Sequence, residues 1–98
     1  MTDIQTLTKE KIKLDEPGLY DVLFLNDNIT TMEFVVKVLK QIYGTTPEQA
    51  QNITTKIHQD GQGIVGSYVH EVAEQKGIET TLAARQENFP LQVKVKKQ

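Results

Sequence analysis

The stretch "LYDVLFLNDNITTMEFVVKVLKQIYG", residues 19–44, passes from a strand pattern to a helix pattern across a short polar segment. Its first seven residues are almost all apolar and have the length of a strand. A helix is then predicted to begin near Thr31, with Thr30 and Glu33 forming a capping box, and to end before Gly44. Six apolar residues recur at helical spacing and give the helix one broad apolar face: Met32, Val35, Val36, Leu39, Ile42 and Tyr43.

A second helix is indicated by Thr46 as N-cap, Pro47 at the first helical position and Gln49 three residues after the cap. We expect it to run to about Gln59, with Gly61 ending it. Its apolar positions place His58 on or beside the buried edge of the helix.

The rest of the chain predicts a strand, a helix and a last strand. Residues 64–72 are rich in Val, Ile and Tyr, which favours a strand. Residues 73–88 have a helical composition and are followed by Pro90. The helix is expected to turn Ile78, Leu82 and Phe89 inward. Residues 91–96 alternate, with Leu91, Val93 and Val95 on the core face and lysines suited to an edge strand.

The order βααβαβ predicts an α+β domain, in which a three-stranded antiparallel sheet packs against three helices. Residues 1–18 lack a sustained hydrophobic period and end in Pro17 and Gly18, which predicts a mobile N-terminal arm. Residues 19–98 are then a single folded domain.

Composition excludes several classes of function. The chain has 98 residues, 38% of them hydrophobic, and a formal net charge of −2, so it offers no positive field for nucleic acid or an anionic membrane. It contains no Cys, which rules out disulfides and thiolate sites. No stretch is apolar enough to span a bilayer or to act as a secretory signal. These features predict a soluble cytoplasmic protein.

The residues give little support for catalysis or for a cofactor. Of the two histidines, His58 and His70, neither has a partner at a spacing typical of a metal site. There is no phosphate-binding glycine loop or nucleophilic serine motif. Asp21 and Asp27 have no basic partner nearby in sequence. No cofactor and no metal are expected, although a small hydrolase or metal enzyme built on His58 and Asp27 remains an alternative.

The polar segment Asn26, Asp27 and Asn28 allows two interpretations. Such residues are common in turns that follow a strand. They also lie beside the start of the helix that carries Met32 and Val35, so polar acceptors and apolar side chains could converge there. A ligand with a cation at one end and a hydrophobic group at the other would suit that arrangement.

Three separate segments resemble the ClpS family of adaptors, which deliver N-degron substrates to a Clp AAA+ protease. "NDNITTMEFVVKVL" is similar to the family's N-D-D-x-T-P-M-E-F-V segment. "IHQDGQGIVGSYVHEVAEQK" is similar to its V-H-x-x-G-x-x-x-x-G…E-V-A-E-x-K segment, and "FPLQV" follows in the expected order. The resemblance covers roughly residues 19–95.

The resemblance implies a protein that binds the first residue of another protein, generally Leu, Phe, Tyr or Trp, and passes it to an unfoldase. It places the α-amino group at Asn26, Asn28 and His58, with Asp27 in the same cluster. The hydrophobic pocket maps onto a further set: Thr30, Met32, Val35, Thr54, Ile57 and Leu91.

The chain departs from the family pattern at two binding positions. Asn28 replaces an acidic residue, which removes a negative charge but keeps an acceptor oxygen. Thr54 stands where other members carry Met as a gate against branched residues. A module that docks on the unfoldase with a degenerate pocket is therefore the alternative within the binding class.

The resemblance also implies a partner. The family docks on the N-terminal domain of a ClpA- or ClpC-type unfoldase through a surface that here includes Glu71 and Lys76. The arm, residues 1–18, resembles the extension that the unfoldase engages during delivery. We expect a monomer.

Overall fold

The computed structural model describes residues 18–98. Six elements follow one another: β1 (Tyr20–Leu25), α1 (Met32–Gln41), α2 (Pro47–Asp60), β2 (Gln62–Tyr68), α3 (His70–Gln86) and β3 (Gln92–Lys97). The predicted α+β class and the order βααβαβ are confirmed, and three strands form one sheet accompanied by three helices. The predicted mobile arm, residues 1–18, lies outside the described residues except for Gly18.

The sheet is antiparallel throughout, in the order β2-β1-β3, so β1 is the central strand and β3 an edge as predicted. Val22 of β1 lies opposite Gly66 and Val95 on its two neighbours. The next residue, Leu23, pairs with Ile64, so the register shifts by one residue in β2. Such a bulge bends the strand and increases its twist.

Each of the first two helices has a threonine as its N-cap residue. The predicted cap of α1 is wrong by one residue: Thr31 is the N-cap, and its hydroxyl accepts from the Phe34 N–H at 3.1 Å. The hydroxyl of Thr30 instead donates to Asp27. The predicted capping box of α2 is confirmed, because the side chains of Thr46 and Gln49 each accept from the other's backbone N–H.

The bounds and the buried face of α3 differ from the prediction. The helix begins at His70 rather than near residue 73, after Val69, which makes no side-chain cap bond within the described residues. Ile78 and Leu82, predicted inward, are 54% and 61% exposed. The side that packs on the sheet carries small residues instead: Ala73, Gly77, Thr80 and Ala84.

The core lies between the sheet and the helices. Its largest fully buried side chains are Phe24, Leu39, Leu91, Val22, Val38 and Thr80. Phe34 is also buried and packs edge-on against the Phe89 ring, with 5.0 Å between centroids. Phe89 thus packs on the core as predicted. Met32, on the predicted apolar face of α1, is 47% exposed and lies at the surface where the helix begins.

Candidate functional site

A narrow pocket opens where the loop after β1 meets the start of α1 and one face of α2. Its lining residues are Phe24, Leu25, Asn26, Asp27, Thr30, Met32, Val35, Thr54, Ile57, His58 and Leu91. All six residues named for a hydrophobic pocket are in this set, together with three of the four named for an amino group. The fourth, Asn28, is exposed and does not line the pocket.

The polar rim is held by a backbone contact between β1 and α2. The N–H of Asn26 donates to the Gly61 carbonyl at 2.9 Å. Gly61 ends α2 in the left-handed conformation, at φ 89°, and its N–H donates to the Ile57 carbonyl. His58 lies in that last helical turn. The end of β1 and the end of α2 therefore bring Asn26 and His58, both exposed, to the same pocket.

Asp27 organises the loop that joins β1 to α1. Its Oδ1 accepts from the N–H groups of Ile29 and Thr30 at 2.8 and 2.6 Å, and its Oδ2 accepts from the Thr30 hydroxyl at 2.7 Å. Partial burial raises the pKa of the Asp27 carboxyl. The hydrogen bonds from Thr30 and Ile29, with the nearby charge of Arg85, outweigh burial and hold the pKa below its usual value. Asp27 is therefore a fixed negative charge on the rim at neutral pH.

The walls below the rim are mostly apolar and leave little open space between them. Val35, Ile57 and Leu91 are buried, whereas Met32 is half exposed. The volume open to the centre of a water molecule is about 20 Å³, roughly the room that one water needs. A larger side chain enters only if a wall moves, and Met32 has the freest side chain because it is unbranched and half exposed.

Thr54 adds a polar group to this apolar wall. It is 4% exposed, and its Oγ1 has no hydrogen-bond partner within residues 18–98. Buried hydroxyls are usually hydrogen-bonded, so this unpaired one is an unusual feature of the pocket wall.

Arg85 is a positioning residue that the sequence reasoning missed. Its guanidinium donates to the backbone carbonyls of Phe89 and Leu91 at 2.8 and 3.0 Å. These bonds hold the chain reversal that places Leu91 in the pocket wall. The available signal was a basic residue in the last turn of a helix, where it can bond carbonyls beyond the helix end.

The two residues expected at an unfoldase-docking surface have different environments. Glu71 is exposed in the first turn of α3. The Lys76 ammonium donates to the Ile42 carbonyl at 2.8 Å and lies 5.7 and 5.2 Å from the ring centres of Tyr43 and Tyr68. Lys76 therefore ties α3 to the end of α1, whereas Glu71 is open to solvent.

Residues 18–98 contain no group of three or more His, Cys, Asp or Glu side chains that could hold a metal ion. In the same part of the chain, none of the three helices has the length and apolar character needed to cross a membrane.

Comparison with known proteins gives a consistent match. Residues 15–94 match the family model described as ATP-dependent Clp protease adaptor protein ClpS. The adapter protein ClpS of Campylobacter jejuni subsp. doylei is 42% identical over 95 residues, which is 97% of this chain and 99% of the relative. That of Maricaulis maris is 45% identical over 91 residues, 93% of this chain and 84% of the relative.

A solved structure agrees with the fold. The structure of Agrobacterium tumefaciens ClpS2 bound to L-phenylalaninamide superposes with a TM-score of 0.81 at 30% identity, covering 84% of this chain and 99% of that one. The matches define a class of protein, the adaptors of an ATP-dependent protease. The chain belongs to the ClpS family of Clp protease adaptors.

Proposed function

We propose that this adaptor binds the free first residue of N-degron substrates, of the class Leu, Phe, Tyr or Trp, and delivers them to a Clp AAA+ unfoldase for degradation. One observation carries the proposal. Asn26, Asp27 and His58 meet at the rim of a pocket whose walls are formed mainly by apolar side chains from α1, α2 and Leu91.

The rim suits an α-amino group. That group has a pKa of about 7.7 to 8.0, so at pH 7 it is mainly a cation with three donors. The amide oxygen of Asn26 and a ring nitrogen of His58 can supply acceptors, and Asp27, whose pKa is lowered, supplies a fixed negative charge. An internal peptide segment has no such cation, so the rim selects a chain end. Asn28 remains a further candidate acceptor at the outer edge of the loop.

The walls suit the first side chain. Burying one large apolar side chain there contributes about 1.5 to 3 kcal/mol. The ClpS2 relative was solved with L-phenylalaninamide. That molecule has a free amine, an aromatic side chain and no free carboxylate, so it imitates the first residue of a polypeptide. The 30% identity and matching fold support the same use of the pocket here.

We further propose how delivery occurs. The adaptor acts as a cytoplasmic monomer without catalytic activity of its own, and it docks on the N-terminal domain of a ClpA- or ClpC-type unfoldase. The docking surface includes Glu71, which is exposed, and the face of α3 that Lys76 holds against α1. Residues 1–18 are then the segment that the unfoldase engages during delivery.

Fluorescence anisotropy with short labelled peptides tests the pocket. Peptides that begin with Leu or Phe are expected to bind, and acetylation of the first amine is expected to abolish binding. His58→Ala removes an acceptor from the rim and is expected to weaken binding at least tenfold, the value of one hydrogen bond to a charged group. His70→Ala is the matched control, because His70 is the other histidine and lies outside the pocket, its ring tilted against Tyr20 with 4.6 Å between centroids.

A second function is favoured by the small volume of the pocket. At about 20 Å³ it is closed to a leucine side chain as it stands. An adaptor whose pocket stays closed would dock on the unfoldase and modulate it without reading a first residue. Binding of the unfoldase domain combined with no binding of any free-amine peptide would establish this second function and overturn the first.

A further inference from the structure

Two threonine hydroxyls are buried and unpaired in the described part of the chain, Thr45 Oγ1 and Thr54 Oγ1. Only Thr54 lines the pocket. It lies in the middle of α2, where a threonine hydroxyl can bond the carbonyl four residues earlier, here that of Ala50. It does not make that bond within residues 18–98. The hydroxyl of this pocket-lining residue thus has no bond within residues 18–98 that a ligand would have to displace.

The spacing of Thr54 and His58 sets where this hydroxyl acts. Four residues separate them, so they lie on the same face of α2, about 6 Å apart along the helix axis. Both line the pocket. A first residue whose amine lies at His58 and whose side chain runs inward along α2 reaches Thr54 with its far end. That distance is close to the length of a tyrosine side chain.

We infer that Thr54 is a specificity-determining residue that reads a hydroxyl at the far end of the first side chain, and that this adaptor therefore prefers Tyr to Phe. The inference rests on the proposed function of the pocket. A threonine hydroxyl and a phenol can each donate and accept, so one hydrogen bond satisfies both groups when tyrosine is bound. With phenylalanine bound, the Thr54 hydroxyl stays buried and unpaired as in the free protein, so that complex lacks the hydrogen bond that the tyrosine complex gains.

Chemistry at the pocket wall supports tyrosine over the other expected first residues. Leu has no polar atom to pair with Thr54. The indole N–H of Trp can only donate and projects from the side of a wider ring system. The surrounding wall, with Val35, Ile57 and Leu91, remains apolar. The pocket thus combines apolar walls for the aromatic ring with one polar contact for the phenol hydroxyl.

The test compares two peptides that differ by a single oxygen atom, with Tyr or Phe as first residue, by anisotropy titration. The wild-type protein is expected to bind the Tyr peptide about five- to tenfold more tightly, the effect of one net hydrogen bond. Thr54→Val replaces the hydroxyl by a methyl group of similar shape and is expected to bring the ratio to one or below. Thr54→Ser keeps the hydroxyl and should keep the preference.

Thr45→Val is the matched control, because it removes the other buried, unpaired hydroxyl of the described residues outside the pocket. It is expected to leave the Tyr-to-Phe ratio unchanged, and thermal melts confirm that each variant is folded. A wild-type ratio near one, or a ratio that Thr54→Val does not alter, overturns the inference while Phe binding still supports the proposed function. Failure of both peptides to bind the wild type overturns the two together.

Discussion

The backbone N–H of Asn26 donates to the carbonyl of Gly61 at 2.9 Å, and this bond joins the end of β1 to the residue that ends α2. It follows directly on the strand pairing, in which Leu25 lies opposite Gln62. The rim of the pocket is therefore an extension of the sheet and not a free loop. Its geometry depends on Gly61 holding a left-handed conformation, φ 89°, just after the turn that carries His58.

Substitution of Gly61 is expected to disturb the rim. Gly61→Ala places a Cβ in the left-handed region, which costs about 1 kcal/mol or more. Gly44→Ala is a matched control: φ is 66°, and at neither glycine would a Cβ come within 4 Å of a described residue other than its two chain neighbours. Both variants should lose similar stability in urea melts. Only Gly61→Ala should also weaken binding of a Phe-starting peptide, and equal affinities would contradict this role.

Asp27→Asn tests the fixed charge of the loop. The pKa of Asp27 lies below its usual value, so the carboxylate stabilises the fold above the unfolded pKa and this contribution is lost as pH falls through the folded pKa. At pH 7 the variant should be less stable by about 1 to 2 kcal/mol, from weakened charge-assisted hydrogen bonds. The deficit should shrink below about pH 4.

Peptide affinity separates the rim charge from stability alone. Asp27→Asn should weaken binding of a free-amine peptide at pH 7. Asp21→Asn should not, because Asp21 is bonded to Ser67 and Gln98 away from the pocket. Equal losses in the two variants would show that the charge of Asp27 plays no part in binding.

Met32 lines the pocket at the start of α1. It is 47% exposed and lines a space of about 20 Å³, so it is the side chain with most freedom to move when a ligand enters. Branching at Cβ brings bulk to the pocket mouth, so Met32→Ala should relieve that clash and improve binding of an Ile-starting peptide relative to Leu about fivefold. Glu33→Ala, one residue on and outside the pocket, should leave the ratio unchanged. If Met32→Ala leaves the ratio of Ile-peptide to Leu-peptide affinity unaltered, a residue other than Met32 excludes branched first residues.

Local hydrogen bonds explain which parts of the fold were predictable. The capping box of Thr46 and Gln49 and the left-handed Gly61 involve residues a few positions apart, so their signals are in the sequence itself. The inward face of α3 is set by how closely the helix approaches the sheet. A Cβ at Gly77 would lie 3.5 Å from a methyl group of Val93. Small residues face the sheet there, and a pattern of large apolar residues such as Leu82 misled the prediction.

The candidate site also has features that the sequence predicted and features that it did not. The convergence of the polar loop with Met32 and Val35 was predicted from neighbouring residues. The pocket residues of α2 and Leu91 came from the family resemblance, because they lie on separate segments that only the fold brings together. Arg85 was missed because its partners are the backbone carbonyls of Phe89 and Leu91, and these are within reach only after the chain reverses at Asn88, φ 63°. The closed volume of the pocket has no counterpart in the sequence at all.

Glu71 and Lys76 should contribute differently to the stability of the fold. Lys76→Ala removes the bond to the Ile42 carbonyl and the contacts with Tyr43 and Tyr68, which should lower the free energy of unfolding by about 1 to 2 kcal/mol. Glu71→Ala should change it by no more than about 0.5 kcal/mol, since Glu71 is exposed. Urea denaturation measures both. Equal stabilities would show that the Lys76 contacts contribute nothing.

The buried phenol of Tyr43 should make the fold sensitive to alkali. Its hydroxyl and that of Thr80 lie 2.8 Å apart, and burial raises the pKa of Tyr43 to about 12, despite the opposing effect of that hydrogen bond. An unfolded tyrosine titrates near pH 10, so the contribution of Tyr43 to stability is complete below pH 10 and is lost as pH rises towards 12. Tyr43→Phe should be about 1 kcal/mol less stable than wild type at pH 8, because it lacks the hydrogen bond.

At pH 11 that deficit should shrink or reverse, because phenylalanine has no proton to lose. Urea melts of wild type and Tyr43→Phe at pH 8 and pH 11 measure the change. Tyr68→Phe is the control. Burial raises the pKa of Tyr68 as well, but this side chain is only partly buried and should account for less of the stability lost between pH 8 and pH 11. If Tyr43→Phe retains the full wild-type loss of stability between the two pH values, the buried phenol is not the group that makes this fold alkali-sensitive.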